Sequence, residues 1–298
     1  MFAMYGLLCI MIGFWSCSVL SPNNLTKNFF SMSLRKLADS PSCGLLILSP
    51  IHKTNARRQT RFVENLKNLA YDHTDACIVL LSDEASFSIV KDSTSVLSKA
   101  RYSFIRIIKD PPFLQQLNLV QPSFGDRHES HFQRHRRSTI AQARNYLLYS
   151  ALALANAAEW VLWLDSDLLS YPANLVQRML ATGKQIVVPT CLCAGVGRSS
   201  CGDDVYDKNS WAETDASRGN LAKLPRNELR VEGYGNDIGR LYMGDLRARA
   251  KDGQQLVELQ GIGGTCILIQ ASLHRRGVSF PPFLVNHEIE TEGNYLLA

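Results

Sequence analysis

Short apolar runs separated by stretches of helical periodicity constrain the fold of this chain most. The run Gly44–Leu48, closed by Ser49-Pro50, and the run Ala76–Leu81 have the continuous apolar pattern of strands that are buried on both faces. Between them, Asn55–Ala70 places its apolar side chains on one side of a predicted helix. Strands that alternate with helices in this way predict an α/β fold with a mostly parallel central sheet flanked by helices.

The same alternation continues along the chain, whose 298 residues are enough for one large domain or two small ones. A helix rich in Ala and Leu is predicted before the central strand, because both residue types favour helices. The further predicted elements are a strand at Phe104–Ile108, this long helix at Ser138–Ala158, a strand at Val161–Leu164, a helix at Asn174–Ala181 and a strand at Gln185–Val188. Residues 191 to 252 are polar and loop-rich, which predicts an insert that binds a ligand.

Two aspartates follow directly after the central predicted strand. Ligands of open α/β sheets bind outside the carboxyl ends of the strands, so Asp165, Ser166 and Asp167 lie where chemistry is expected. In an extended segment the two carboxylates point to one face, where they can bind one hard cation such as Mg²⁺ or Mn²⁺. Alone, Asp-x-Asp is also common in surface turns and helix caps. A phosphatase with an aspartyl nucleophile is a second enzymatic interpretation, although Leu169 stands where that pattern has Thr or Val.

Basic residues are concentrated just before the long predicted helix. The formal net charge is +5, and the dense cluster comprises His131, Arg134, His135, Arg136 and Arg137. Such a cluster suits a polyanion such as a diphosphate, or it is a solvated loop. Without interleaved aromatic residues or a nucleic-acid-binding module, we expect no nucleic acid ligand. Arg144 suits a diphosphate as well, or it forms an ion pair on the face of the helix.

Further polar residues follow other predicted strands. Asp83 is either a hydrogen-bond acceptor for the edge of a nucleobase or a helix-cap residue. The segment Gly261-Ile262-Gly263-Gly264 permits a close approach of backbone to ligand, or a turn between two strands. Candidates for hydroxyl binding or base chemistry, or for the charged start of a helix, are His287, Glu288, Glu290 and Glu292.

The N-terminal segment is uncharged and apolar. Met1–Leu20 contains no charged side chain and is long enough to cross a bilayer, so we predict an uncleaved signal-anchor. A cleaved signal peptide is the main alternative, since Ser16 and Ser18 offer small residues for cleavage. Ser21–Ser42 is predicted to be a stem, and the folded domain to occupy residues 43–298.

Of the eight cysteines, Cys9 and Cys17 lie in the apolar segment. If the rest of the chain lies in the secretory lumen, disulfides can form, but the sequence does not give their pairing. A partial zinc site is the alternative for Cys191, Cys193 and Cys201, although their spacing is poor and a fourth ligand is missing from the sequence pattern.

Together these residues resemble one family, the fungal Golgi α-mannosyltransferases of glycosyltransferase family 62, which form mannan polymerase complexes. The matching motifs span about residues 44 to 293. They are, in order, Ile47-Leu48-Ser49-Pro50, Arg136-Arg137, Ala143-Arg144-Asn145-Tyr146-Leu147-Leu148, Val161-Leu162-Trp163-Leu164-Asp165-Ser166-Asp167, Val187-Val188-Pro189, Asn209-Ser210-Trp211, Glu232-Gly233-Tyr234, Gly261-Ile262-Gly263-Gly264, Phe280-Pro281-Pro282-Phe283 and His287-Glu288-Ile289-Glu290-Thr291-Glu292-Gly293.

The resemblance implies a GT-A fold and transfer of mannose from GDP-mannose, with retention, to mannan or N-glycan acceptors. It implies manganese or another divalent cation held by Asp165 and Asp167, a diphosphate beside Arg144 and a nucleoside near Asp83. The resemblance also implies nucleotide-sugar binding by Pro50, Arg137 and Ser166. It implies acceptor-binding or loop roles for Asn209, Trp211, Gly263, Gly264 and His287, and catalytic roles for Asp165, Asp167, Glu290 and Glu292.

The resemblance also implies a single-pass type II Golgi membrane protein with a lumenal catalytic domain and with other mannosyltransferase subunits as partners. The family usually has Asp where this chain has Gln260, and it continues to a final strand whose histidine completes the metal site. We therefore expect the catalytic domain of residues 43–298 to be C-terminally truncated. A non-catalytic structural subunit of such a complex is the alternative function.

Overall fold

The computed structural model of the chain describes residues 43–100, 102–118, 130–193, 205–231, 237–251, 256–285 and 287–289. The chain divides into the units Met1–Ser40 and Pro41–Ala298, and the described residues all belong to the second. The predicted anchor and stem lie outside them. Within these ranges, no helix is long and apolar enough to cross a membrane.

The secondary structure alternates strands and helices as predicted. The strands are β1 Leu45–Ile51, β2 Ala76–Ser82, β3 Phe104–Lys109, β4 Trp160–Leu164, β5 Ile186–Val187, β6 Trp211–Ala212, β7 Leu241–Tyr242, β8 Cys266–Gln270, β9 Leu284–Val285 and β10 Glu288–Ile289. The α-helices are α1 Ala56–Lys67, α2 Phe87–Thr94, α3 Pro112–Asn118, α4 Ser130–Leu154, α5 Leu175–Leu180, α6 Asp215–Leu221, α7 Met243–Arg249 and α8 Ala271–Arg275.

Six of the described strands form one sheet in the order β3-β2-β1-β4-β8-β5. Neighbours from β3 to β4 pair in parallel, whereas β8 runs antiparallel to both β4 and β5. The parallel strands end along one edge of the sheet, so the residues after β1, β2, β3 and β4 are brought together there. This sheet, mostly parallel and covered by helices, confirms the predicted α/β fold.

Both faces of the sheet are buried, which explains the unbroken apolar runs in the sequence. Alternate residues of β1 point to opposite faces, so that Leu46 and Leu48 pack with α4, while Leu45 and Ile47 pack with α1 and α5. Each fully buried Leu or Ile contributes about 1.5–3 kcal/mol relative to an exposed one. The two layers of helices therefore stabilise the edge where the polar residues converge.

The long helix differs from its predicted bounds of residues 138 to 158. Helix α4 spans Ser130–Leu154, so the basic cluster around Arg134 and Arg137 belongs to its first turns and is not a solvated loop. Arginine favours helices. The first turns of α4 were not predicted because they lack an apolar periodicity. The helix ends early because the chain turns into the sheet, where Glu159 and Trp160 donate backbone hydrogen bonds of 2.9 Å to the Gly44 carbonyl.

A disulfide joins the beginnings of β1 and β2. Cys43 and Cys77 are bonded across 34 residues of sequence, and both are buried on the α4 side of the sheet. A cross-link over a loop of this length restricts the unfolded chain much more than the folded one.

Behind the sheet, His274 of α8 is a buried neutral imidazole. Its Nδ1 lies 2.7 Å from the Val278 carbonyl oxygen, and the Trp163 indole N–H donates to its Nε2 at 3.4 Å. Both nitrogens are satisfied only in the tautomer with the proton on Nδ1. Burial lowers the pKa of His274 from its ordinary value, against the opposing effect of the Val278 hydrogen bond.

Replacing both Cys43 and Cys77 by alanine is expected to lower the free energy of unfolding by about 2–4 kcal/mol, because the unfolded chain regains the entropy that the disulfide removes. Chemical denaturation measures the change. The control is Cys191→Ala, which removes a free thiol. Equal midpoints for the double variant and the control would contradict the disulfide's role.

Acidification is expected to destabilise the fold through His274. Since its folded pKa lies below the value of 6.5 in the unfolded chain, the unfolded state takes up the proton first as the pH falls. This contribution to stability is complete above about pH 6.5 and is lost below it. In denaturation curves at several pH values, His274→Gln should show a shallower acid decline than the unmodified chain. Parallel declines would refute this.

Candidate functional site

The acidic pair lies in a turn at the carboxyl end of β4. Asp165 donates its backbone N–H to the Thr265 carbonyl at 2.9 Å, and Leu168 donates back to the Asp165 carbonyl at 3.5 Å. Ser166 is half-buried, and Asp167 is exposed. The segment is therefore not extended, and the expectation that both carboxylates share a face by strand alternation does not apply.

Arg144 of α4 contacts Asp165 beneath this turn. Its Nη2 donates to Asp165 Oδ1 and to the Gly264 carbonyl, both at 3.1 Å, and its side chain is 4% exposed. The guanidinium also lies 5.3 Å from the centre of the Phe280 ring. Its Nε and Nη1 have no hydrogen-bond partner among the described residues. The predicted ion pair is present, and the guanidinium still has N–H groups for a further acceptor.

Arg137 lies on the same helix, seven residues before Arg144, so both side chains project from one face of α4. It is 5% exposed, and its Nη2 donates to Asn209 Oδ1 at 3.2 Å. Its Nε has no partner within the described ranges. The structure thus brings the predicted residues Arg137, Arg144, Asp165 and Asn209 to one edge of the sheet.

Asp207 holds this arrangement in place, and the sequence analysis missed it. Its Oδ1 accepts hydrogen bonds from the backbone and side chain of Asn209 at 3.0 and 3.2 Å. Its Oδ2 accepts from the Thr265 hydroxyl at 3.0 Å. A Cβ on Gly263 would lie 1.8 Å from Asp207 Oδ2, so only glycine fits at that position. The signal was present in the sequence, since Asp207 stands two residues before the Asn209-Ser210-Trp211 motif.

The cysteines near the site do not form the partial zinc site considered above, because Cys193 is disulfide-bonded. Burial, followed by the charges of Asp207 and Asp165, raises the pKa of Cys191 to about 12. The third predicted member, Cys201, lies outside the described residues.

Asp83, at the end of β2, is engaged by the backbone. Its Oδ1 accepts from the Ser86 N–H at 2.9 Å and its Oδ2 from the Lys53 N–H at 3.0 Å, while His52 Nε2 lies 3.5 Å from Oδ2. These bonds match the turn interpretation, and nucleoside binding by Asp83 stays a prediction. Pro50, the other residue predicted here, is half-buried near the end of β1 and is the register partner of Leu81 in β2.

A second acidic residue that was not predicted from the sequence follows the strand next to β2. Asp110 follows β3 and is 8% exposed. Burial, with a smaller effect of the Asp83 charge, raises its pKa to about 6. Its position repeats that of Asp83 and Asp165, because each follows the last residues of a parallel strand.

The glycine loop before β8 rests on a buried tryptophan. Trp211 is fully buried, and a Cβ on Gly261 would lie 2.2 Å from its ring. The guanidinium carbon of Arg240 lies 3.5 Å from the centre of the same ring. Trp211 therefore supports the loop of Gly263 and Gly264 and does not itself offer a surface to a ligand.

Arg240 also joins three segments of the chain. Its Nη2 lies 2.9 Å from Glu213 Oε1, and its Nη1 forms an ion pair with Glu288 in β10. The adjacent His287 has a positive φ of 73°, and its Nδ1 lies 3.1 Å from the Glu228 carbonyl oxygen. The predicted residues Glu290 and Glu292, which follow β10, lie outside the described residues.

Comparison with known proteins identifies the family. The Anp1 family model matches residues 30–284. The chain is 30% identical over 283 residues to the mannan polymerase complex subunit MNN9 of Candida albicans, covering 91% of this chain and 75% of that protein. It is 31% identical over 262 residues to the mannan polymerase complex subunit mnn9 of Schizosaccharomyces pombe, covering 84% of this chain and 73% of that protein.

Solved structures with a similar course of the chain are more distant. TarS of S. aureus has a TM-score of 0.40 at 13% identity, over 80% of this chain and 30% of that chain. The mannosyltransferase PcManGT from Pyrobaculum calidifontis, in complex with GDP-Man and Mn²⁺, has a TM-score of 0.38 at 10% identity, over 87% of this chain and 56% of that chain. Likeness of this degree carries no argument about substrates. From the match over most of its length, the chain belongs to the Anp1 family.

Proposed function

We propose that this chain is a metal-dependent glycosyltransferase that transfers mannose from GDP-mannose, with retention, to mannan or N-glycan acceptors. The observation that carries the proposal is the pair of buried guanidinium groups, Arg137 and Arg144, at the carboxyl edge of the sheet beside Asp165. This edge is where α/β folds bind their ligands.

The two arginines have the chemistry of a diphosphate site. A buried N–H without an acceptor costs about 1–3 kcal/mol, and three such groups are present, namely Nε of Arg137 and Nε and Nη1 of Arg144. Phosphate oxygens satisfy guanidinium N–H groups with short, charge-assisted hydrogen bonds. Within the described residues, the Arg137 side chain bonds only to the neutral Asn209, so no carboxylate there bonds to it directly. The site would stabilise the charge that grows on a departing diphosphate.

The acidic pair suits a divalent cation that bridges to such a diphosphate. The Asp165 side chain is 35% exposed, and Asp167 is exposed, so solvent reaches both residues. Oxygen ligands of this kind bind Mn²⁺ and Mg²⁺. When bound, the cation would supply Lewis-acid neutralisation of the leaving group. Arg144 holds Asp165 in place for this role.

The relatives support mannose and mannan as the sugar chemistry. Both MNN9 proteins are named as subunits of mannan polymerase complexes, so we propose that this chain also works with partner subunits. The buried Cys43–Cys77 disulfide supports an oxidising compartment, since such bonds are rare in the cytosol. The Golgi lumen, reached with an N-terminal anchor, is the location we propose.

A structural subunit without catalysis is the second candidate. Among the described residues, no group of three His, Cys, Asp or Glu side chains is placed to hold a metal ion. Gln260, which stands where an acid was expected, uses its side-chain oxygen to accept from the Glu213 backbone N–H at 2.9 Å. Measurements of binding and of turnover separate this candidate from the first.

Pyrophosphate is expected to stabilise the chain through Arg137 and Arg144. An anion at 100 times its Kd stabilises a protein by about 2.7 kcal/mol, which raises its melting temperature. The rise should be reduced in Arg137→Gln and in Arg144→Gln, because each loses donors to the anion. Arg218→Gln, which removes an exposed arginine paired with Asp215, is the control and should keep the full rise. Equal rises in all four proteins would contradict a diphosphate site at the two arginines.

Asp165→Asn and Asp167→Asn are each expected to reduce Mn²⁺-dependent transfer from GDP-mannose at least about a hundredfold, because the charge that holds the cation is lost. Product formation on a mannan oligosaccharide measures the change. Asp215→Asn, at the exposed start of α6, is the matched control and should be fully active. Full activity in both site variants would remove the metal assignment.

A further inference from the structure

A cleft of about 400 Å³ opens between the first turns of α4 and the hairpin of β9 and β10. One wall carries the polar side chains Arg134, His135 and Ser138 of the helix. The other wall is apolar and consists of Pro282, Phe283, Leu284 and Ile289. None of the residues assigned above to the diphosphate site or to the acidic pair lines this cleft.

The two walls have complementary chemistry. Phe283 is 64% exposed, the largest exposed fraction among the large apolar side chains of the described residues. An exposed aromatic ring offers a flat apolar face. Opposite it lie the guanidinium of Arg134, which has N–H groups besides the one that donates to the Asn227 carbonyl, and the hydroxyl of Ser138, which accepts from Gln142 Nε2 at 3.2 Å. Both are polar groups of the kind that bind a ligand rich in hydroxyl groups. An aromatic face opposite several polar groups suits a sugar ring, which has apolar C–H faces and hydroxyl edges.

The position of the cleft relates it to the site of transfer. Ser138 and Arg134 precede Arg144 by six and ten residues on the same helix, which corresponds to about 9 and 15 Å along its axis. The lining residues of the cleft thus begin about 9 Å along the helix from Arg144, a separation that a chain of sugars can span. On the basis of the function proposed above, we propose that this cleft is a glycan subsite, which binds the residues of an oligosaccharide acceptor that are distant from the reacting end.

Buried charges hold the apolar wall of the subsite in place. Glu288 in β10 is 1% exposed and is paired with Arg240, which is paired in turn with Glu213. Separating these buried charges would leave each of them uncompensated away from water, so the pairing resists separation of the three segments. It joins the hairpin of the subsite to Trp211 and hence to the glycine loop beside Arg144. The cleft and the diphosphate site are therefore connected through Arg240 and Trp211.

The test measures the affinity of the full chain for mannose and for mannotetraose by calorimetry, without any donor. In Phe283→Ala the Kd of mannotetraose should rise about threefold to tenfold, the loss expected for one aromatic stacking contact. Any binding of mannose to the cleft should weaken by the same factor, because Phe283 stacks on a single ring. Tyr149→Ala, which removes an aromatic side chain that is 51% exposed on the same helix outside the cleft, is the matched control and should bind mannotetraose normally.

An unchanged Kd for mannotetraose in Phe283→Ala would overturn the subsite, and so would the absence of saturable mannotetraose binding in the unmodified chain. Loss of association with a protein partner in Phe283→Ala, with glycan affinity unchanged, would assign the cleft to that partner and overturn the proposal as well. A chain that transfers no mannose but shows the Phe283-dependent binding would refute the catalytic function and support the subsite. Mannose transfer by the chain, together with an unchanged glycan affinity in Phe283→Ala, would support the catalytic function and overturn the subsite.

Discussion

The ion pair between Arg144 and Asp165 organises the functional edge of this protein. A guanidinium that is almost completely buried is costly unless its charge and its N–H groups are satisfied. Arg144 donates to one carboxylate and one backbone carbonyl, those of Asp165 and Gly264, and its guanidinium lies 5.8 and 5.3 Å from the ring centres of Trp163 and Phe280. This arrangement fixes the end of β4, the glycine loop and helix α4 relative to one another. Nε and Nη1 of Arg144 have no acceptor among the described residues, and in the proposed function an anionic ligand provides it.

The surrounding residues extend this support in two directions. On one side, Asp207 ties Thr265 to Asn209, and Asn209 orients Arg137 toward the same space as Arg144. On the other side, the glycine loop packs against Trp211, and the Arg240 guanidinium packs against the Trp211 ring. Glycines at positions 261 and 263 follow from these contacts, because any side chain there would overlap with Trp211 or Asp207. Rigid placement of this kind is what stabilising a developing charge requires.

The sequence predicted the parts of this arrangement that depend on local patterns. Continuous apolar runs identified β1, β2 and β4, because strands buried on both faces tolerate few polar residues. The place of Asp165 followed from the general rule for strand ends. The start of α4 was missed because its first turns carry charges and no apolar stripe. The extended conformation expected for the acidic pair was wrong because the chain turns directly after β4.

Long-range contacts were beyond the reach of sequence patterns. Arg240 is one basic residue in a polar segment, and its partners Glu213 and Glu288 lie 27 and 48 residues away. The Asp207 bond to Thr265 spans 58 residues, and the disulfide spans 34. Such pairs are set by the packing of the sheet against the insert, which no single window of sequence contains. The pairing of these groups is therefore recognisable only in three dimensions.

The central claim is that the edge around Arg144 and Asp165 is a nucleoside diphosphate site that uses a divalent cation. Calorimetric titration of the purified chain with GDP, in the presence and absence of Mn²⁺, tests it most directly. We expect saturable binding of GDP that becomes tighter with Mn²⁺, because the two carboxylates and the diphosphate then share the cation. Absence of GDP binding under both conditions would contradict the account.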